Sequence, residues 1–216
     1  MSEFSIAARG PFSLRESGRF LAGWPPAEGI AQTSQSAVRL AFSLDGHRGH
    51  AGALLRQEGE TVQGEVIGRE EVDAARSQTA RILSLDHDAS DYPAIGERDP
   101  VIGRAQREHP GFRPVLFHSP YEAAGWSIIS ARLHPRQALA ARERLSREHG
   151  AVLNVAGEEM AAFPLPERLL ELESFPGLTD EKVRRLRGVA EAALAERWRP
   201  YRTWVTALLR VSSAPR

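Results

Sequence analysis

The hydrophobic period of this 216-residue chain changes once, near residue 69, and that change restricts the fold more than any other feature. Before it, apolar residues recur every second position. Val38-Arg39-Leu40-Ala41-Phe42 runs into the turn pair Asp45-Gly46, and Ala51–Leu55 and Thr61–Ile67 flank Gln57-Glu58-Gly59-Glu60. Short period-2 runs separated by such turns predict an antiparallel meander. A further strand is predicted near Phe4–Ala8, and a short helix from Leu14 to Ala22, closed by Gly23 and Pro25-Pro26.

After residue 69 the period becomes 3.6. Glu70–Leu83 puts Val72, Ala75, Thr79 and Ile82 on one helical face. Asp99-Pro100 has the N-cap and N1 residues of a helix that ends at His109-Pro110. Ser119-Pro120-Tyr121-Glu122 reads as a capping box, and Pro135 opens a helix that stops at Gly150. Pro166–Ser174, Thr179 to about Trp198, and Pro200–Val211 complete seven helices. The expected fold is α+β: a small antiparallel-sheet N-terminal domain, residues 1–85, packed on an all-helical body, residues 86–216.

Composition excludes several function classes. With no cysteine, the chain has no disulfide, thiolate nucleophile, zinc finger or iron–sulfur cluster. Nowhere do about 18 apolar residues run together, so no membrane-spanning helix is expected. The opening Met-Ser-Glu-Phe-Ser lacks the pattern of a secretory leader, and a cytoplasmic protein is the expectation. The zero net charge divides unevenly: residues 1–100 hold 10 basic and 15 acidic residues, whereas residues 101–216 hold 18 and 13. A net +5 in the second half points to a polyanion partner. Lys182 is the only lysine among 28 basic residues; arginine's planar fork suits phosphate, and a GC-rich genome gives the same usage.

The order of several short segments resembles the 3-methyladenine DNA glycosylase II family, within the helix-hairpin-helix DNA glycosylase superfamily. They begin with Pro11-Phe12-Ser13-Leu14 and Gly18-Arg19-Phe20-Leu21, followed by Arg81-Ile82-Leu83-Ser84-Leu85-Asp86-His87-Asp88. Next come His109-Pro110-Gly111-Phe112-Arg113-Pro114, Ser119–Glu122 and Trp126-Ser127-Ile128-Ile129-Ser130. Phe163-Pro164-Leu165-Pro166, Gly177–Lys182 and Trp198–Trp204 match later landmarks. The resemblance implies a base-excision repair protein acting on alkylated bases in double-stranded DNA, a monofunctional N-glycosylase without cofactor.

One departure bears on the chemistry. The family's helix-hairpin-helix, roughly Leu-Pro-Gly-Ile-Gly-x-Trp-Thr-Ala, and the catalytic aspartate after it have no counterpart. Ala192-Ala193-Leu194 runs straight into Ala195-Glu196-Arg197-Trp198, as if by internal deletion. Cleaving the glycosidic bond of a flipped nucleotide builds positive charge on the sugar, which a fixed carboxylate stabilises. The hairpin's backbone N–H groups hold a DNA phosphate. Losing both predicts impaired catalysis and weak, non-specific duplex binding, and leaves the catalytic residues unassigned. A non-catalytic DNA-binding homologue and a degenerate remnant with uncovered apolar faces are the alternatives.

The candidate site residues follow from the resemblance and the local pattern. Phe20 falls where the family stacks an aromatic ring on the flipped base, and a core aromatic is the alternative. Ala131 and Arg132 stand where a Gln and a wedge residue are usual, so Arg132 is the candidate to intercalate or bind phosphate, unless it is only a solvated charge. Arg199 and Arg202, with Trp204, fall where the terminal helix lines the cleft. Thr179 precedes a helix whose N–H groups can face an anion, or is a plain N-cap. Asp180 and Glu181 are the nearest carboxylates, already expected from the helix dipole.

No metal site is expected. His47-Arg48-Gly49-His50 lacks a third ligand, and Asp86-His87-Asp88 cannot wrap one ion. Lys182 is not at the spacing of a Schiff-base lysine. The expected protein is a monomer without membrane contact, nucleoid-associated when bound to DNA.

Overall fold

In the computed structural model, residues 2–23, 31–34, 37–68 and 71–196 are described; the expected helix over 200–211 lies outside them. The period-2 half forms one five-stranded antiparallel sheet. Its strands are β1 (Ser2–Ala7), β2 (Ala31–Thr33), β3 (Val38–Ser43), β4 (His50–Glu58) and β5 (Thr61–Gly68), in the order β1-β5-β4-β3-β2. The β4–β5 register, Leu55 opposite Gly64 and Glu58 opposite Thr61, is set by a two-residue Gly59-Glu60 turn in which Gly59 has φ +60°. The expected meander is present.

One face of the sheet is apolar at alternate positions. Phe4, Ile6, Leu40, Phe42, Ala53, Leu55 and Val62 point to a core closed by two helices, α1 (Leu14–Gly23) and α2 (Val72–Ile82). From α2, Ala75, Thr79 and Ile82 are buried there, and Val72 packs at its margin.

The other face is apolar too. A hairpin of β6 (Ala151–Val155) and β7 (Glu158–Ala162), absent from the sequence expectation, packs Val155, Met160 and Ala162 on Ala37, Ala41 and Leu54. Gly52 makes this possible, because a Cβ there would lie 2.7 Å from Val155 Cγ2. Its two-residue Ala156-Gly157 loop has positive φ at both positions, as a type I′ turn requires. The α+β class therefore holds, with one hairpin added to the helical body.

That body comprises α3 (Pro93–Arg98), α4 (Pro100–Glu108), α5 (Pro120–Ser130), α6 (Pro135–His149), α7 (Pro166–Leu170) and α8 (Asp180–Ala195). Asp99 Oδ1 caps α4 through the Val101 and Ile102 N–H groups, as expected. Helix α3 was not expected, since Gly96 weakens a six-residue helix; close packing holds it, a Cβ at Gly103 falling 2.4 Å from Gly96 O. Helix α7 stops four residues short of Ser174, because Leu172 and Phe175 turn into the core formed by Tyr121, Ile129, Leu145, Phe163, Leu169, Val183 and Leu186. Exposed large hydrophobics among the described residues are Phe20, Tyr92, Ile95, Val101, Leu116 and Val152. None lies on α5–α8, where a remnant would bare its apolar faces.

Two polar centres join sheet to helices across the boundary proposed at residue 85. The first is Arg113, buried to 3% exposure. Its Nε donates to Pro11 O (2.9 Å), Nη1 to Ser84 O and His87 O (3.0 and 3.2 Å), and Nη2 to Arg9 O and Gly10 O (2.5 and 3.0 Å). All five guanidinium N–H groups are thus matched to carbonyls.

The second is Glu122. Ser119 Oγ accepts from the Glu122 N–H (3.1 Å), which is half of the expected capping box. The other half is not made. Glu122 Oε1 instead accepts from Ser43 N (3.1 Å) and Ser43 Oγ (3.0 Å) on β3, two buried donors against the single amide that the box would satisfy. Arg142 and His118 each lie 3.7 Å from Glu122 Oε2, all three side chains being buried. Gln78 Nε2 donates to Ser43 O and His118 O, and Arg81 Nη2 to His118 O, closing the network.

Candidate nucleic-acid interface

The α5–α6 connection, Ser130 to His134, brings two expected site residues, Arg132 and Thr179, into one structural unit. Helix α5 runs close to Phe163 because residue 125 is glycine; a Cβ there would sit 2.6 Å from the ring. At its end Ala131 has φ −53° and ψ 122°, Arg132 has φ +58°, and Leu133 N–H donates to Ser130 O at 3.1 Å. This is a type II turn with Arg132 at the third position, where glycine or asparagine is usual. A non-glycine residue in that region costs about 1–2 kcal/mol.

Both flanks of the turn are pinned. On the α5 side, Lys182 Nζ donates to Ile129 O at 2.7 Å, from 53 residues further along the chain. Partial burial lowers the Lys182 ammonium pKa from its ordinary value. On the α6 side, His134 Nδ1 accepts from Arg136 N–H, the His134 N–H donates to Gln137 Oε1, and Pro135 occupies N1. Arg132 itself is exposed.

Because Lys182 belongs to the first turn of α8, its bond also seats the α8 N-terminus against the end of α5. Thr179 is there, and it is the N-cap: its Oγ1 accepts from Lys182 N–H at 3.4 Å. Glu181 accepts from Arg184 (2.9 Å to Nε) and Arg185 (2.7 Å), and these bonds hold its carboxyl below the usual carboxylate range. Other exposed arginines of the body are paired in the same local way, among them Arg144 with Glu148 and Arg147 with Glu143, each at 2.6 Å. Such exposed pairs are worth about 0–1 kcal/mol but neutralise their surface. Arg132 and Arg136 form no ion pair among the described residues.

The other expected residues belong to other elements or lie outside the described residues. Phe20, 38% exposed on α1, packs against Phe112 with ring centroids 5.7 Å apart. Phe112 lines a groove of about 520 Å³ with Pro11, Tyr92, Ile102, Ala105 and His109. Arg199 and Arg202 lie outside the described residues, as does Trp204. His47 and His50 serve the interior: His47 packs edge-on against Tyr121, and His50 Nε2–H donates to Phe163 O at 2.9 Å. Asp88 accepts from the Ser90 N–H and hydroxyl, a turn within the link. No group of three His, Asp or Glu suited to a metal occurs among the described residues. Nor is any described helix long and apolar enough to cross a membrane.

Carboxylates are found elsewhere. Glu16 and Glu122 are the buried ones among the described residues. Glu16 accepts from Arg19 at 2.8 Å and pairs with His109 at 3.2 Å, and Glu122 serves the seam. A cavity of about 610 Å³ lined by Gly46, His47, Arg48, Glu167, Ala193 and Glu196 holds two more, at the end of the described chain. Lys182, which lacks the spacing of a Schiff-base lysine, has a structural partner that no sequence motif announces. Its signal was its singularity, one lysine in a chain that uses arginine everywhere else.

The sheet packed on a helical body is a fold found among solved DNA glycosylases. The chain superposes on the 3-methyladenine DNA-glycosylase from Archaeoglobus fulgidus with TM-score 0.68 at 18% identity, over 87% of its own length. On MBOgg1 in complex with a low-affinity DNA ligand, the TM-score is 0.59 at 16% identity over 91%. It spans 66% and 62% of those two chains. Neither a family model nor a curated protein sequence matches it. What is shared is the glycosylase fold.

Proposed function

We propose that the protein is a DNA-binding member of the helix-hairpin-helix glycosylase superfamily, of the lineage that repairs alkylated bases, with its base-releasing activity impaired. The observation that carries the reading is the pinned type II turn with exposed Arg132, which has no ion pair among the described residues, on a fold shared with glycosylases. Arg132 enters or lies against the duplex, Arg136 and the N–H groups behind Thr179 contact phosphates, and Arg199 and Arg202 add contacts from the terminal segment. Phe20 is the proposed base-stacking ring. The impairment rests on the join at residues 192–198 and on the carboxylates nearest the turn. Glu181 is tied to two arginines, and Asp180 is exposed to water, which screens its charge. The protein is proposed to act as a monomer in the cytoplasm, without metal or cofactor.

Two to four phosphate contacts imply a salt slope of about −2 to −4 in log–log form. Duplex affinity is therefore expected in the micromolar range or weaker, falling roughly 10- to 150-fold between 50 and 200 mM salt, alike for unrelated sequences. Fluorescence anisotropy on two unrelated duplexes measures this. Tight binding insensitive to salt, or no binding at 50 mM, contradicts it.

A further inference from the structure

We infer that Lys182 is a positioning residue for DNA engagement: from α8 it clamps the last turn of α5 and so holds Arg132 in the conformation that reaches the duplex. The inference rests on the duplex-binding reading above and assigns Lys182 a task separate from phosphate contact.

A turn that carries arginine where glycine is favoured persists only when its surroundings over-determine it. Here the surroundings are two fixed ends. On the α6 side the restraint is local, with His134, Pro135 and Gln137 capping their own helix. On the α5 side the backbone supplies less: the helix ends at Ala131 with φ −53° and ψ 122°, and the last bond of the turn is Leu133 N–H to Ser130 O. The long-range donor is the Lys182 ammonium on Ile129 O, one residue before the turn begins. A cation on a C-terminal carbonyl also complements the negative end of the α5 dipole.

Geometry assigns the ammonium inward. Nζ is spent on Ile129 O at 2.7 Å, while Val183 and Leu186 beside it are buried in the helical core. Helix α8 is itself anchored by the Thr179 cap and that core, so the clamp is carried by a rigid element. Without Lys182 the turn is free to relax to conformations that suit arginine better, and Arg132 points elsewhere for part of the time.

The test compares duplex affinity at 50 mM salt for the wild type, Arg132→Ala, Lys182→Met, Lys182→Arg and the double variant Arg132→Ala/Lys182→Met. Melting temperature and 15N relaxation of residues 130–134 are followed in parallel. Expected are a three- to tenfold loss for Arg132→Ala, a similar loss for Lys182→Met, and no further loss in the double variant. Lys182→Arg, which can still donate to Ile129 O, recovers most of the affinity. The relaxation data are expected to show residues 130–134 more mobile in Lys182→Met and restored in Lys182→Arg, without DNA present. Losses that multiply in the double variant overturn the inference, because Lys182 then contacts DNA independently. So does unchanged affinity in a folded Lys182→Met protein. Failure of the wild type to bind duplex sinks the duplex-binding reading instead. In that event the relaxation comparison still decides whether Lys182 holds the turn. Should Lys182→Met not fold, Lys182→Ala replaces it with a residue that favours the helix and has no donor, expected to match Arg132→Ala; wild-type affinity together with wild-type turn dynamics in that variant is the overturning result.

Discussion

Replacing Arg113 with alanine is expected to lower stability by about 3–5 kcal/mol, the loss typical of removing a buried charged group whose partners stay behind. Five carbonyls from three separate segments, residues 9–11, Ser84 and His87, converge on this one guanidinium. The variant therefore leaves several acceptors without donors and loosens the seam between sheet and helices together. At about 2–4 °C per kcal/mol for a chain of this length, the melting temperature falls by roughly 6–20 °C. Arg113→Lys keeps the charge but has three donors and no fork, and is expected to lose about half as much. Thermal denaturation measures both. An alanine variant melting within 2 °C of wild type would contradict the assignment, whatever its DNA affinity.

The second large effect is a pH dependence centred on His118. Burial, with Arg142 and Arg81 nearby, pushes its imidazole down to about 3, while Ala41 O accepts its ring N–H. In the unfolded chain the same group titrates near 6.5. Between these values the unfolded state binds a proton that the folded state refuses, so stability drops as pH falls from about 7 toward 3. One group with this shift loses up to about 1.4 kcal/mol per pH unit, or about 2 kcal/mol at pH 5 relative to pH 7.5. Glu122 works in the opposite sense. Burial raises its pKa despite Arg142 and Ser43, so the folded state keeps a proton that the unfolded state releases. Its contribution falls as pH rises from about 4.5 to the raised value. Because the two overlap, the informative quantity is a difference between proteins. Urea denaturation of wild type and His118→Asn at pH 7.5 and 5.0 is expected to show the wild type losing about 2 kcal/mol more than the variant. Equal losses in both would remove His118 as the cause.

Much of this architecture was legible in the chain, and what was not has identifiable causes. The change of period near residue 69 separates sheet from helices, and Asp99, Ser119 and Thr179 cap the helices expected of them. Their signals are local, so the sequence carries them intact. The β6–β7 hairpin escaped because its I′ turn uses Ala156 where Asn, Asp or Gly is the usual sign, and Asn154 supports it from outside the loop by accepting from Gly157 N–H. The small residues Ala41 and Gly52 on the second face of the sheet were its only trace. Ser119–Glu122 fits a capping box, yet Glu122 answers to Ser43, 79 residues away, and no local pattern distinguishes the two. Arg132 was legible as a candidate through the family resemblance. Its left-handed backbone was not, because arginine does not mark such a position, and neither was the lysine that sustains it.

Under the proposed function, this glycosylase fold binds DNA without releasing damaged bases. The direct measurement incubates the purified protein with methylated duplex DNA, at a concentration where binding is established, and quantifies free alkylated bases by chromatography. The expected result is release indistinguishable from a protein-free control, since the cation that forms on the sugar would lack a held carboxylate, and one misplaced stabilising group already costs about 10²–10³ in rate. Robust release above that control would contradict the proposed loss of activity. Its loss in Asp180→Asn or Glu181→Gln would put the chemistry at the start of α8, and its loss in Glu167→Gln or Glu196→Gln would put it in the cavity beside His47.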